Sequence, residues 1–130
     1  MIKVTQVNLT VGTALQSAEI VDYTLPAGLK KIIGYSINST NPYPFFYRGL
    51  VELRFGDEYF IPSETSADLY LNPSYKYAGY TLFPLDLNEE GKMKKYEPSS
   101  KLMTFRVKDR EVATQAFQSY EVSITVYYEE

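Results

Sequence analysis

The chain has 130 residues, a formal net charge of −3 and a sequence pI of about 5.0, and it contains no histidine, cysteine or tryptophan. This length fits one domain, predicted over residues 1–130, and the acidic balance argues against the basic face of a nucleic-acid binder. Without histidine and cysteine the chain lacks the commonest general base, the thiolate nucleophile and the usual zinc ligands. We therefore expect a protein that is not an enzyme and needs no cofactor.

The first half of the chain alternates apolar and polar residues with the period of a β-strand. In the first predicted strand Leu9 and Val11 alternate with polar neighbours, and a slip in the period predicts a bulge near Thr5–Gln6. Val21, Tyr23 and Leu25 predict the next buried face, which ends at the turn signal Pro26-Ala27-Gly28. Ile33, Tyr35 and Ile37 predict a third strand.

Two aromatic clusters fall in segments predicted to be loops. The first follows Asn41-Pro42-Tyr43-Pro44, where two prolines exclude a central strand. The second lies within 62–80, where periodicity is weak. The aromatic residues concerned are Tyr43, Phe45, Phe46 and Tyr47, then Tyr70, Tyr75, Tyr77 and Tyr80.

The remaining strands are predicted from the same period. Val51, Leu53 and Phe55 form one strand, Gly56-Asp57 is its turn, and 58–61 returns. Thr81–Leu87 contains Pro84 and therefore belongs at a sheet edge. Met103, Phe105 and Val107 form the penultimate strand. Tyr120, Val122, Ile124, Val126 and Tyr128 form one face of the last strand.

Eight short strands separated by turn signals predict an all-β, single-domain antiparallel β-sandwich of the jelly-roll or Greek-key type. A single helical turn is allowed near Asp109–Ala116, and no longer helix is predicted. The predicted core contains Val21, Tyr23, Ile33, Ile37, Val51, Leu53, Phe105, Val107, Val122, Ile124 and Val126.

Catalytic and metal sites have weak support in this sequence. The adjacent carboxylates Asp57-Glu58 and Glu89-Glu90 are expected to be solvated turn charges, although a carboxylate-only hydrolase stays open as a third reading of the chain. Calcium at Asp57 and Glu58 has no spaced acidic loop to support it. Ser100 and Lys101 are neighbours in a loop, which does not make a catalytic dyad.

The tyrosine-rich clusters allow three interpretations. The chain has 13 tyrosines. Those in the two clusters could pack inward where long loops cover the ends of the sandwich, form a protein–protein interface, or stack against sugar rings. A sugar platform would use exposed residues among Tyr43, Tyr47, Tyr75, Tyr77 and Tyr80. The interface is the leading functional interpretation, and sugar binding is the alternative.

Three runs of the sequence resemble small β-sandwich virion proteins of phages, of the capsid or head-accessory type. These runs are the strand–turn–strand segment 23–35, the segment 53–62 and Pro84-Leu85-Asp86-Leu87. The resemblance covers about half the chain and carries no individual functional residue. It implies a jelly-roll subunit that assembles with its own copies or with a capsid lattice.

We therefore expect a structural subunit that is made in a host cytoplasm and kept in a virion. Its expected partners are copies of itself or other virion proteins, without nucleic acid or membrane. The opening 1–12 has no continuous apolar stretch of the kind found in signal peptides. The first and last strands, Val7–Val11 and Tyr120–Tyr128, are expected to be edges open to another chain.

Overall fold

The computed structural model describes residues 2–67, 83–84, 97–98 and 100–130. This part of the chain forms eight strands and one short helix, which confirms the predicted all-β sandwich. In chain order they are β1 (Ile2–Val11), β2 (Ser17–Thr24), β3 (Lys31–Ser39), α1 (Pro42–Arg48), β4 (Gly49–Phe55), β5 (Glu58–Ser66), β6 (Phe83–Pro84), β7 (Leu102–Asp109) and β8 (Tyr120–Glu129).

The strands form two antiparallel sheets with the topology of a jelly roll. The first sheet has the order β1-β8-β3-β6, and the second has the order β2-β7-β4-β5. The pairs β4·β5, β3·β6, β2·β7 and β1·β8 are nested around the β4–β5 hairpin, as in one long antiparallel ribbon. Winding that ribbon creates the remaining pairs, β3·β8 and β4·β7. This order places two Greek keys in one sandwich.

The core lies between the two sheets and draws on both. Every predicted core residue from Ile33 onward is buried, and β8 alternates as predicted, with Tyr120 and Tyr128 at the ends of its buried row. Leu25, Leu29, Ile61 and Met103 belong to the same interior. In β7 and β8 the apolar side chains at every second position are buried and orient one face of each strand toward the other sheet, while Thr104 and Thr125 are the buried residues on the opposite faces.

The prediction for Val21 is wrong, because β2 contains a bulge. The register with β7 shifts between Ile20 and Tyr23, and Asp22 has φ of 53°. The extra residue turns Val21 outward, where it is exposed, while Ile20 and the half-buried Tyr23 pack against the core. The bulge predicted at Thr5–Gln6 does not exist: β1 pairs with β8 without interruption from Ile2 to Val11.

The prediction that the last strand is an edge is also wrong. β8 is paired on both sides, with β1 and with β3, so its backbone is occupied by its own chain. β1 is an edge, as expected. Phe83–Pro84 lies at the outer edge of the first sheet, which agrees with the edge position predicted for Thr81–Leu87.

Among the described residues, the register places three connections at one end of the sandwich, called here the loop end. They are the turn at 12–16, α1 with residues 40–41, and the loop at 110–119. They meet there because β1, β3 and β7 all finish at this end.

Candidate contact surface at the loop end

The aromatic segment predicted to be a loop is the helix α1, so that prediction is corrected. Pro42 and Pro44 both fall in the first turn, where backbone N–H groups have no partner within a helix and proline removes nothing. The Phe45 N–H donates to the Asn41 carbonyl at 3.4 Å, and the Gly49 N–H donates to the Phe45 carbonyl at the other end. The prolines therefore start a helix here rather than prevent one.

The helix divides the four predicted aromatic residues between core and solvent. Phe45 is completely buried, with its ring centroid 5.6 Å from that of Tyr120. Phe46 is half-buried and meets the Tyr47 ring edge-on at 4.9 Å. Tyr43 and Tyr47 remain 49% and 43% exposed, and their spacing of four places both on one helical face. Two of the four predicted contact residues are thus available to a partner.

The second predicted cluster, Tyr70, Tyr75, Tyr77 and Tyr80, lies outside the described residues.

A buried ion pair fixes α1 to the end of β7. Arg48, the last residue of the helix, donates from Nε to Asp109 Oδ1 at 3.0 Å and from Nη2 to Asp109 Oδ2 at 2.8 Å. The Leu15 N–H and the Tyr120 hydroxyl each donate to the same carboxylate at 2.9 Å. Asp109 therefore accepts four hydrogen bonds, which is the capacity of a carboxylate.

These hydrogen bonds outweigh the cost of burying the Asp109 carboxylate. Burial is the largest single effect and raises the pKa of Asp109, but the bonds from Arg48, Leu15 and Tyr120, together with the Arg48 charge, bring that pKa below its ordinary value. The bond to Asp109 raises the pKa of Arg48. Burial, and then the bond to Asp109, raise the pKa of Tyr120. Arg48 and Asp109 are therefore charged and Tyr120 is protonated at neutral pH.

The same network joins the other connections of the loop end. Arg48 Nη1 donates to the Gln115 carbonyl at 2.9 Å, and the Arg48 guanidinium lies 5.4 Å from the centroid of Phe117. Asn41 Nδ2 donates to Gln118 Oε1 at 3.1 Å. The turn at 12–16, α1 and the loop at 110–119 are therefore held together, so the exposed face of α1 has a fixed position.

A shallow groove of about 470 Å³ lies beside this network. Leu15 is exposed at its rim with φ of 65°, and Phe117 and Arg48 form part of its wall. The remaining lining residues are Ala14, Glu111, Val112, Ala113, Gln115 and Ala116. Small apolar side chains predominate, so the groove suits an apolar contact more than a charged ligand.

Sequence reasoning missed Arg48 and Asp109 as organising residues, although one signal was present. Met103, Phe105 and Val107 alternate inward along β7, and the next position in that period is Asp109. A carboxylate on a buried face requires a cation or several donors. Arg48 carries no comparable signal, because the helix that positions it was not predicted.

The described residues contain no group of three or more side chains arranged to hold a metal ion. Asp57 and Glu58 are exposed in the β4–β5 hairpin, at the opposite end from the loop end. Lys101 Nζ donates to the Ala27 carbonyl at 2.9 Å, and Ser100 Oγ accepts from the Leu102 N–H. Within the described ranges, no helix is long and apolar enough to cross a membrane.

Comparison with protein-family models found no match, and comparison with curated proteins found no significant similarity. The loop-end geometry is therefore the observation from which a function is argued.

Proposed function

We propose that this chain is a structural subunit of a virus particle, of the phage virion kind that its sequence resembles, and that it works through protein–protein contacts. The observation that carries the proposal is the pair of exposed tyrosines, Tyr43 and Tyr47, on a helix fixed by a buried ion pair. The proposal places the chain in an assembled particle, with copies of itself or other virion proteins as partners.

The jelly-roll topology is compatible with this role but does not decide it. Jelly rolls occur in viral capsid proteins and also in lectin domains, so function has to be argued from the surface. Interfaces are enriched in tyrosine because the ring supplies contact area and few torsions must be fixed on binding. Tyr43 and Tyr47 have these properties, and the groove at the loop end supplies a separate apolar surface.

Sugar binding is the second candidate, and the same two rings favour it. Two exposed tyrosines on one helical face can stack against a sugar ring, as aromatic residues do in ligand sites. A sugar site also needs polar groups that converge on the hydroxyls. The strongest polar groups here, those of Arg48 and Asp109, are buried and already bonded to each other. Assembly therefore has the better support.

The test compares two serine-substituted chains in sedimentation equilibrium. In Tyr43→Ser/Tyr47→Ser the contact area is removed from the loop end, and we expect the self-association of the unmodified chain to weaken by about tenfold or more. Tyr59→Ser is the matched control. Tyr59 is 52% exposed beside the β4–β5 turn, at the opposite end of the sandwich.

Equal self-association in the double variant and the unmodified chain would contradict the tyrosine contact. A glycan array separates the two candidates. Reproducible sugar binding that is lost in the double variant and kept in Tyr59→Ser would replace assembly by carbohydrate recognition.

A further inference from the structure

The described strands form two sheets with four edges between them, β1, β6, β2 and β5, and these edges differ in how they are protected. Exposed edges attract other strands, and proteins usually block them with proline, bulges, charge or short length. β2 has its bulge at Asp22, β5 contains Pro62 and two register shifts, and β6 is described over only two residues, one of them Pro84. Each of these three edges therefore has at least one blocking feature.

The β1 edge has no proline, no bulge and no short length, and its one charge is balanced. It is ten residues long, contains no proline or glycine, and keeps an unbroken register with β8. Lys3 is its only charged residue and is paired with Glu130 at 2.6 Å. The edge is therefore long, regular and close to neutral, whereas the β2 edge carries Glu19 and Asp22 and the β5 edge carries Glu58 and Glu64. Two copies of β1 can meet without the repulsion that acidic edges would cause.

The register also shows which backbone groups of β1 point outward. The Thr40 N–H donates to the Glu121 carbonyl at 3.0 Å, so the backbone groups of Glu121 point toward β3. Because direction alternates along an antiparallel strand, those of Val122, Ile124 and Val126 point toward β1. Their partners there are Leu9, Val7 and Thr5. By the same alternation the backbone groups of Lys3 and Val11 also point toward β8, and five residues of β1 have backbone groups that point away from it: Ile2, Val4, Gln6, Asn8 and Thr10.

Side-chain hydrogen bonds hold this edge in place. Gln6 Nε2 donates to Asn8 Oδ1 at 3.0 Å, and Ser123 Oγ donates to the same oxygen at 2.6 Å. Thr125 Oγ1 donates to Gln6 Oε1 at 3.4 Å. The side chains of Val4, Gln6, Asn8 and Thr10 are all exposed, so no other part of the chain that the structure describes covers them. The edge is preorganised, which lowers the entropic cost of binding a second strand.

We infer that the β1 edge pairs with the β1 edge of a second copy, antiparallel across a two-fold axis beside Val7. That register places Val4 opposite Thr10 and Gln6 opposite Asn8 of the other copy. Four of the five outward-pointing residues, Val4, Gln6, Asn8 and Thr10, are then paired within the two strands, with about eight hydrogen bonds at two per bonded pair. The β1-β8-β3-β6 sheets of the two copies become one continuous sheet. This inference rests on the proposed function, since it names a second contact through which the chain assembles.

The test removes one outward N–H without touching the pairing with β8. Proline is tolerated in an edge strand at a position whose backbone N–H points away from the sheet, and the N–H of Val4 points away in this manner. Val4→Pro removes two hydrogen bonds per pair of copies, because the axis repeats the change, and we expect about tenfold or more weaker self-association in sedimentation equilibrium. Val4→Thr is the matched control. It keeps the N–H and the branched shape at a side chain that is 55% exposed, and it should associate as the unmodified chain does.

Amide exchange in the unmodified chain gives a readout that does not depend on a variant. Val7 and Leu9 donate to β8 and are protected in every state. The amides of Gln6 and Asn8 should exchange slowly in the associated chain and rapidly on dilution. Rapid exchange of these two amides at all concentrations would overturn the inference, as would unchanged association of Val4→Pro.

The two proposals fail in different ways. If Tyr43→Ser/Tyr47→Ser dissociates while Val4→Pro associates normally, the tyrosine contact stands and the β1 pairing is removed. If Val4→Pro dissociates while Tyr43→Ser/Tyr47→Ser associates normally, the β1 pairing is supported and the tyrosine contact is contradicted.

Discussion

Asp109 is the residue on which the loop end depends most. Its carboxylate accepts bonds from three separate parts of the chain, and it is almost completely buried. In Asp109→Asn the Arg48 guanidinium stays buried without a counter-charge. We expect the free energy of unfolding to fall by about 3–5 kcal/mol, the range for breaking one side of a buried pair. Chemical denaturation monitored by tyrosine fluorescence measures it.

The pH dependence of the same variant adds a second observable to this prediction. Because the folded-state pKa of Asp109 is lowered, its contribution is complete above the unfolded-state value of about 4. It is lost as pH falls through the lower folded-state pKa. The difference in stability between the two chains should therefore shrink in acid. A constant difference from pH 7 to pH 2 would contradict this, and Asp57→Asn, in the exposed β4–β5 turn, serves as the neutral control.

The helix α1 depends on a close approach at its end. A Cβ added to Gly49 would lie 2.5 Å from the Phe45 ring and 2.7 Å from the Phe45 carbonyl oxygen. Gly49→Ala should therefore displace the helix from β4 and destabilise the chain by about 1–3 kcal/mol, the usual cost of overpacking. Gly12→Ala is the matched control. Its nearest contact would be 3.9 Å away, so a thermal shift equal to that of Gly49→Ala would argue against the close packing.

At the scale of secondary-structure elements, the sequence predicted the strands well but failed to predict the bulge in β2 and the helix α1. Period-two alternation predicted strands such as β7 and β8 because each directs one row of apolar side chains toward the other sheet. It could not locate the β2 bulge, since Asp22 adopts a positive φ that the local sequence does not require. It also misread Pro42 and Pro44, because proline both excludes a strand and suits the first turn of a helix. The helix separated Tyr43 and Tyr47 from the buried Phe45, which a loop assignment could not do.

For the whole molecule, the order of the strands determines which strands lie at the sheet edges, and this order could not be predicted from the sequence. Alternation gives the buried face of each strand but not its neighbours. β8 was therefore expected at an edge, although the jelly-roll winding places it between β1 and β3. The same winding leaves β1 as a regular edge and gathers the turn at 12–16, α1 and the loop at 110–119 at one end. Both proposed contacts result from topology rather than from any local motif.

The most direct test of assembly is sedimentation velocity of the unmodified chain at micromolar concentration and at about tenfold higher concentration. We expect a species heavier than the 14.9 kDa chain, either stable across this range or growing with concentration. A monomer of 14.9 kDa that is unchanged at the higher concentration would contradict self-assembly through either surface.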